Sequence, residues 1–562
     1  MSTTSAPTYY RPAVGRAFTI WRVLTAYPML TVYVAALGLW QVRVSRFHMN
    51  PDGIQYLDFA THILGGIDWT VVNGYWSPLY PVILAVAVRL FHPTPANEVV
   101  LVHWVNFGIY LVAWAAFVGF WRKLAERHVG NLDELSFRLF GLAIFLTSAL
   151  MCCGLELVTP DLLLLGLVFI AARFVVSVSR CSAKLRTFAM LGAVLAIGYF
   201  AKAIMLPLGF VVLAAAAMAT KNVAIGARGF LLGSLVLVAV SCVWIVPLSI
   251  ERQEPDYGDV GGLAYAIYVN QVESLHPSVA QLPPGTHLQH PSRRLATSPA
   301  AYEFAEPFHT TYGYRYDAGY WLSGLKPKFN LRQQLSNLWL NLRESKHYVR
   351  PFYLWVIPLG AATLVFCFRT QAWNAVEWVT GTVLVVIATT ALATYLLVLV
   401  QPRYIGISVA LCETAMVVVA CQLAGILPQR VVSCLCLILI LSAVGRFNCA
   451  IDYQRLQTNV YWETAVAAQK HGIKPGEPIA NIGDSADCYW VRLAGARIIA
   501  EVPIGATRPD LEFWKASADV QQEAIRKLKA AGAQHVIASE VPASAGPEWQ
   551  RLKDGYAVYE GK

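Results

Sequence analysis

Charge is scarce in this chain. Asp, Glu, Lys and Arg together make up 14% of its 562 residues, against about 25% in ordinary soluble domains. No block of five or more Lys/Arg occurs, so the net charge of +10 does not describe a nucleic-acid surface, and no nucleic-acid partner is expected. Paired cysteines at metal spacing are missing too. None of the eleven cysteines forms a CxxC pair, and Cys434–Cys436 has the wrong pattern. Cys152 and Cys153 read as small packing residues, with no disulfide framework implied. The tail segment NIGDSAD, with Gly483 and Asp484, lacks G-x-G-x-x-G, which argues against a nucleotide site. The first apolar run is long and without an A-x-A site, so it reads as a retained span and not as a cleaved signal. No repeat of fixed period is present.

What the chain has is apolar length. Hydrophobic residues make up 56% and the mean hydropathy is +0.49, more than one soluble core can hide, so a bilayer must take most of them. Apolar runs predict eleven spans, at about 19–40, 98–120, 138–151, 161–179, 188–205, 207–220, 229–250, 351–368, 377–400, 404–425 and 430–446. Basic residues between the runs follow the positive-inside rule. Arg11, Arg16, WRKLAERH, Arg180, Lys184, Arg186, Lys221, Arg228, Arg369 and Arg430 fall inside, and Arg403 falls outside. The N-terminus is then cytoplasmic and the C-terminus extracytoplasmic. The run LYPVILAVAVRLF (79–91) is too short to cross and reads as an interfacial helix.

The predicted fold class is an α-helical polytopic membrane protein of about eleven transmembrane helices with a small C-terminal extracytoplasmic α/β domain. The membrane core would be residues 1–446, with a first outer loop at 41–97 and a long outer loop at 251–350. That long loop, rich in Pro, Tyr and His, is too long for a simple linker and should pack over a site. The tail, 447–562, alternates helical patterns (YWETAVAAQKHGI, VQQEAIRKLKAAG) with strand-like ones (PIANIG, RIIAEV, QHVIASE, YAVYEG), the signature of a layered α/β unit.

Few charged residues remain to carry chemistry. Asp52 follows Pro51 in the first outer loop and by itself reads as a turn residue; Asp58 and Asp68 follow it. Asp161 opens a span after Thr-Pro, where it could cap the helix. Lys202 lies between two apolar runs, where a charge costs about 2.5–3.5 kcal/mol on insertion scales, so it is either functional or snorkelling. Arg403 and Tyr404 sit at an outer span end. His276, His287, His290 and His309 of the long loop match no metal-ligand spacing. Tyr312, Tyr314, Tyr316, Tyr320 and Trp321 form an aromatic cluster that fits an interfacial belt or a sugar-stacking surface.

HMNPDGIQYLDFA followed by PLYPVILA, then TPDLLLLG, GYFAKAIMLPLG and QPRYIG, in that order along residues 19–425, resembles the C-type membrane glycosyltransferases, nearest to the bacterial lipid A aminoarabinose transferase and protein O-mannosyltransferase-like group. No single motif is specific; order and placement carry the likeness. The resemblance implies a bacterial inner-membrane enzyme taking a polyprenyl-phosphate-linked sugar and passing it to a glycolipid, glycan or protein acceptor, with membrane lipid as the remaining partner. It implies that Asp52 is the catalytic base, that Lys202, Arg403 and Tyr404 bind the lipid phosphate, and that Asp161 and Asp58 orient donor or acceptor. Gly53 stands where many members carry a second acid. No cofactor is demanded; a divalent metal is left open. The rival expectations are a transporter or flippase of lipid-linked saccharides, and a catalytically inactive member acting in envelope assembly.

Overall fold

A computed structural model describes residues 26–66, 71–128, 134–178, 184–273, 276, 282–289, 292–304, 310–312, 322–345, 378–423, 460–504 and 508–561. The membrane helices are α1 (Tyr27–Val44), α4 (Pro95–His128), α5 (Glu134–Leu146), α6 (Asp161–Val178), α7 (Leu185–Ala201), α8 (Met205–Met218), α9 (Val223–Arg252), α11 (Trp378–Val398) and α12 (Pro402–Leu423). Between them lie α2 (Pro51–Gly65), α3 (Leu79–Phe91) and α10 (331–345). The chain is a multi-pass membrane protein: five described helices are long and apolar enough to cross a bilayer. The expected spans at 351–368 and 430–446 lie outside the described residues, so the count of eleven rests partly on them.

Several boundaries differ from the sequence reading: α5 starts at Glu134 against 138 and α9 at Val223 against 229. Helix α1 continues past Trp40 to Val44. Helix α4 runs through WRKLAERH to His128, because Arg, Lys and Glu are strong helix formers and Lys123 pairs with Glu126 at 2.7 Å. The core packs α6 between α4 and α7, then α9 against α7 and α8, and α12 against α11 and the π-helical turn Thr147–Cys153. Helices α7 and α9 approach closely because the contact is glycine: a Cβ on Gly192 would lie 2.2 Å from the Gly233 carbonyl oxygen, and one on Gly229 would lie 2.3 Å from the Phe188 ring. Gly229 and Gly233 form the small-xxx-small spacing that lets membrane helices touch.

Helix α10 is amphipathic in the reverse sense. Leu331, Leu335 and Trp339 are 61%, 55% and 65% exposed, while Asn337 and Asn341 are 9% and 7% exposed. The buried amides cap the end of α11. Gln334 donates to the Leu397 carbonyl (2.8 Å), Asn337 to those of Leu397 and Val398 (3.1 and 2.9 Å), and Asn341 to that of Leu396 (2.9 Å). A helix end in hydrocarbon needs such partners for its last carbonyls, and an outward face of Leu and Trp suits lipid. Asn337→Leu should cost about 1–3 kcal/mol, the penalty for unsatisfied buried carbonyls, read as a lowered Tm in nanodiscs; an unchanged Tm would rule the cap out as a support of α11.

A seven-stranded sheet forms the extramembrane layer, in the order β1-β2-β4-β3-β5-β7-β6. Strands β3 (Pro478–Gly483), β4 (Arg497–Pro503), β5 (His535–Ala538), β6 (Trp549–Arg551) and β7 (Ala557–Tyr559) come from the tail, β3 to β5, and β7, where its alternating patterns lie. Strands β1 (Arg293–Thr297) and β2 (Ala300–Glu303) come from the long loop, and β2 pairs antiparallel with β4. The loop is therefore part of the tail's sheet. Side chains alternate across it. Ala480, Ile482, Ala500, Val536 and Ala538 meet Ala524, Ile525 and Leu528 of the helix Ala518–Ala530. Ile479, Ile498 and Ile537 face the other way, joining Met49, Ile54, Leu57 and Tyr80 of the segment that carries α2 and α3. That shared core seats the sheet on α2 and α3.

Candidate active site

Four charged side chains from four separate places converge at the N-terminal ends of α6 and α12. Each is delivered by a local break in helix. Pro51 starts α2 after Asn50, whose side-chain oxygen accepts the Val158 N–H at 2.8 Å; Asp52 therefore sits in the first turn of α2. Asp161 opens α6. Lys202 ends α7 in extended backbone (φ −159°, ψ 126°) before α8 begins at Met205. Arg403 lies in the first turn of α12.

Their contacts are direct. Arg403 Nη2 donates to Asp52 Oδ2 at 2.5 Å, and Lys202 Nζ donates to Asp161 Oδ1 at 2.5 Å. Arg403 Nε lies 3.8 Å from Asp161 Oδ2 and donates to Gln401 Oε1 at 2.8 Å. Asp161 does not cap its helix. Its Oδ1 faces Lys202, and its buried Oδ2 has no hydrogen-bond partner among the described residues. The Asp161 side chain is 4% exposed and that of Asp52 31%, so Asp161 is the floor of the site and Asp52 its rim.

Two tyrosines wall the cations. Lys202 Nζ lies 4.0 Å from the Tyr404 ring centroid and 5.6 Å from that of Tyr395, and the two rings stack at 4.7 Å. Such faces favour a desolvated ammonium. Tyr56 of α2 is fully buried; burial first, then the charges of Asp52 and Asp161, hold its phenol protonated. Gln401 stands inside QPRYIG, and Tyr56 is the tyrosine of the D-x-x-x-Y-x-x-x-A pattern in HMNPDGIQYLDFA. Tyr395 lies in an apolar run that gives no signal.

Gly53 leaves no room for a second acid here. A Cβ at that position would lie 2.6 Å from Met49 Sδ and 2.7 Å from Val158 Cβ. One carboxylate at this turn is what the packing admits.

Asp58 is placed elsewhere. Its Oδ1 takes Arg492 Nη1 at 2.6 Å and the Thr311 hydroxyl at 2.9 Å; its Oδ2 takes the Thr311 N–H at 3.0 Å. Arg492 also binds Glu98 through Nε and Nη2 at 2.8 and 2.7 Å. The expectation that Asp58 orients donor or acceptor gives way to a tie between α2, the long loop and the sheet layer. Burial pushes the Asp58 carboxyl up to about 6, against the opposing pull of Arg492 and Thr311, with Glu98 adding to the rise. An acid whose folded pKa is raised contributes stability that is complete below its unfolded pKa and lost as pH rises through the folded one. Seating of the sheet layer should therefore weaken between about pH 4 and pH 7. Asp58→Asn should flatten that dependence, read as hydrogen exchange of the 489–494 amides against pH; an unchanged profile would remove Asp58 as the cause.

His276 stacks on Tyr302 at 4.0 Å and contacts Ser292 Oγ (2.6 Å) and Glu501 Oε1 (2.8 Å). It pins the long loop to the sheet. Among the described residues no three His, Cys, Asp or Glu side chains converge as a metal site; His290 and His309 lie outside them. Tyr312 is buried and bridges to Ile498, while Tyr314, Tyr316, Tyr320 and Trp321 lie outside the described residues.

No known family profile and no curated protein matches the sequence. Solved structures do match in fold. ArnT from Cupriavidus metallidurans in the apo state aligns with a TM-score of 0.53 at 13% identity, over 97% of this chain and 98% of that one. The same protein bound to undecaprenyl phosphate gives 0.52 at 12% identity, over 95% and 98%. The Archaeoglobus fulgidus oligosaccharyltransferase with zinc and sulfate gives 0.45 at 10% identity, over 91% and 68%. At these identities the ArnT likeness is one of fold, and function has to be argued from the site.

Proposed function

From the fold of the C-type membrane glycosyltransferases, which this chain has, we propose that it transfers a sugar from a polyprenyl-phosphate donor to a glycolipid, glycan or protein acceptor on the extracytoplasmic face of a bacterial inner membrane. The observation that carries this reading is the meeting of Asp52, Asp161, Lys202 and Arg403 at one break in the helices. ArnT bound to undecaprenyl phosphate supports a lipid phosphate as the group the cations receive.

Asp52 is the general base. It takes the proton of the acceptor hydroxyl as that oxygen attacks the anomeric carbon. The bond from that carbon to the phosphate oxygen breaks, its electron pair stays on the phosphate, and polyprenyl phosphate leaves. Single displacement inverts the anomeric centre. Lys202 and Arg403 meet the charge developing on the phosphate, Lys as a point charge and Arg as a fork. Tyr404 keeps both cations in place, and Asp161 holds Lys202 from beneath.

The resting contact has a consequence for the order of events. Arg403 binds Asp52 before donor arrives, so the phosphate competes with Asp52 for the same guanidinium. Seating the donor releases Asp52, and the base becomes free only when there is something to attack. The break at Lys202 and the short helix α3 would admit the lipid tail from the side. The sheet layer and the long loop would cover the site and choose the acceptor.

Transfer of radiolabelled sugar from a polyprenyl-phosphate donor to envelope material tests the class. Label that becomes covalently attached to an acceptor supports the enzyme; label that crosses the membrane still on its lipid would make the chain a transporter.

A further inference from the structure

One feature left unused by that chemistry is a cavity at the opposite end of the same helices. It measures about 600 Å³ and lies between α4, α6 and α7. Arg122, Lys123 and Arg173 supply positive charge, Ser177 and Thr187 supply hydroxyls, and Ala116, Ile170, Phe174 and Met190 line its apolar part.

The charges in this cavity are unevenly satisfied. Its one acid, Glu126, is taken by Lys123 at 2.7 Å. Arg122 lies over the Tyr27 ring at 4.5 Å and hydrogen-bonds the Tyr27 side chain; a guanidinium carries five N–H groups, so donors remain. Arg173 has no side-chain hydrogen bond or ion pair among the described residues. It lies five residues before the end of α6 at Val178, about 8 Å at the helical rise, and so near the level at which headgroups meet the hydrocarbon. An arginine that faces a pocket at that level without a protein partner is open to an anionic headgroup. Gly119 faces it from α4: a Cβ there would sit 3.1 Å from Arg173 Nη1, so the absent side chain is what gives the guanidinium its space.

We propose that this pocket binds the phosphate headgroup of an anionic membrane lipid in the leaflet opposite the candidate active site. Arg173 and Arg122 offer forks that match phosphate oxygens, and Lys123 adds a point charge. Thr187 can donate to an oxygen that remains, while the Ser177 hydroxyl donates to the Arg173 carbonyl at 2.8 Å. The acyl chain then lies along Ile170, Phe174 and Met190. Basic pockets between membrane helices suit lipid headgroups for this reason, and the volume falls in the usual range for a small-ligand site. The inference is independent of the proposed transfer reaction.

Native mass spectrometry of the full chain, delipidated and then offered single lipids of matched acyl chains, tests it. Phosphatidic acid is expected to be retained well above phosphatidylcholine. Arg173→Gln should weaken phosphatidic acid by about tenfold, the size of one charge-assisted hydrogen bond, with phosphatidylcholine unchanged. Gly119→Leu keeps every cation but fills the space before Arg173, and should lower phosphatidic acid retention as well, so the answer does not hang on one variant. Equal retention of the two lipids by the wild type, or wild-type retention by both variants, would overturn the proposal. So would displacement of phosphatidic acid by inorganic phosphate, which would make the ligand a soluble anion.

Discussion

Asp52→Asn is expected to lower donor turnover by about 10²–10⁴-fold, the range a positioned general base contributes, while donor binding stays intact. Asn matches Asp in shape and can still accept a hydrogen bond from Arg403, so the first turn of α2 should hold. What is lost is the basic carboxylate at the rim of the site. Loss of the Asp52–Arg403 ion pair also frees Arg403. Inhibition by added polyprenyl phosphate should therefore be unchanged or tighter in the variant. Steady-state kinetics separate the alternatives: a fall in kcat at constant or lower inhibition constant fits a base. A rise in KM at constant kcat would show that Asp52 only anchors Arg403.

Lys202→Met should be costly in two ways. Asp161 is buried, and the methionine removes the partner of its Oδ1. Breaking a buried pair from one side leaves an uncompensated charge, at a cost of about 3–5 kcal/mol. Arg403 Nε, 3.8 Å away, is too distant for a hydrogen bond and offsets part of it. A marked fall in Tm and loss of turnover are both expected. The double variant Lys202→Met with Asp161→Asn should recover Tm, since no unpaired charge remains, yet stay inactive for want of a cation at the phosphate. Recovery of turnover with Tm would mean that the pair is structural and that Arg403 alone serves the phosphate.

Sequence alone could place Asp52, Asp161, Lys202, Arg403 and Tyr404 at one membrane face, because each sits at a helix end and helix ends follow from apolar runs. Their mutual pairing was not legible: Asp52 and Arg403 are 351 residues apart. Asp58 shows the same limit. A carboxylate on a short helix beside Asp52 looks like part of the site, and nothing local signals that Arg492, 434 residues on, will claim it. In sequence, 331–345 reads as polar loop because its amides suggest solvent, whereas in lipid the amides turn inward to α11 and Leu and Trp turn out. Strands β1 and β2 are short and lie in Pro- and Ser-containing sequence, so only the edge of β4 reveals them. The tail's principal strands were readable because each is an apolar run between turns, alternating with amphipathic helix.

The most direct test of the account is release of polyprenyl phosphate in lipid nanodiscs from a panel of polyprenyl-phosphate sugars, measured for the wild type and for Asp52→Asn side by side. The account predicts release by the wild type with at least one donor in the presence of envelope acceptor, and its near-complete loss in a variant that melts like the wild type. Equal release by the two proteins would contradict the assignment of Asp52 as base, and no release by the wild type from any donor would contradict the glycosyltransferase reading itself.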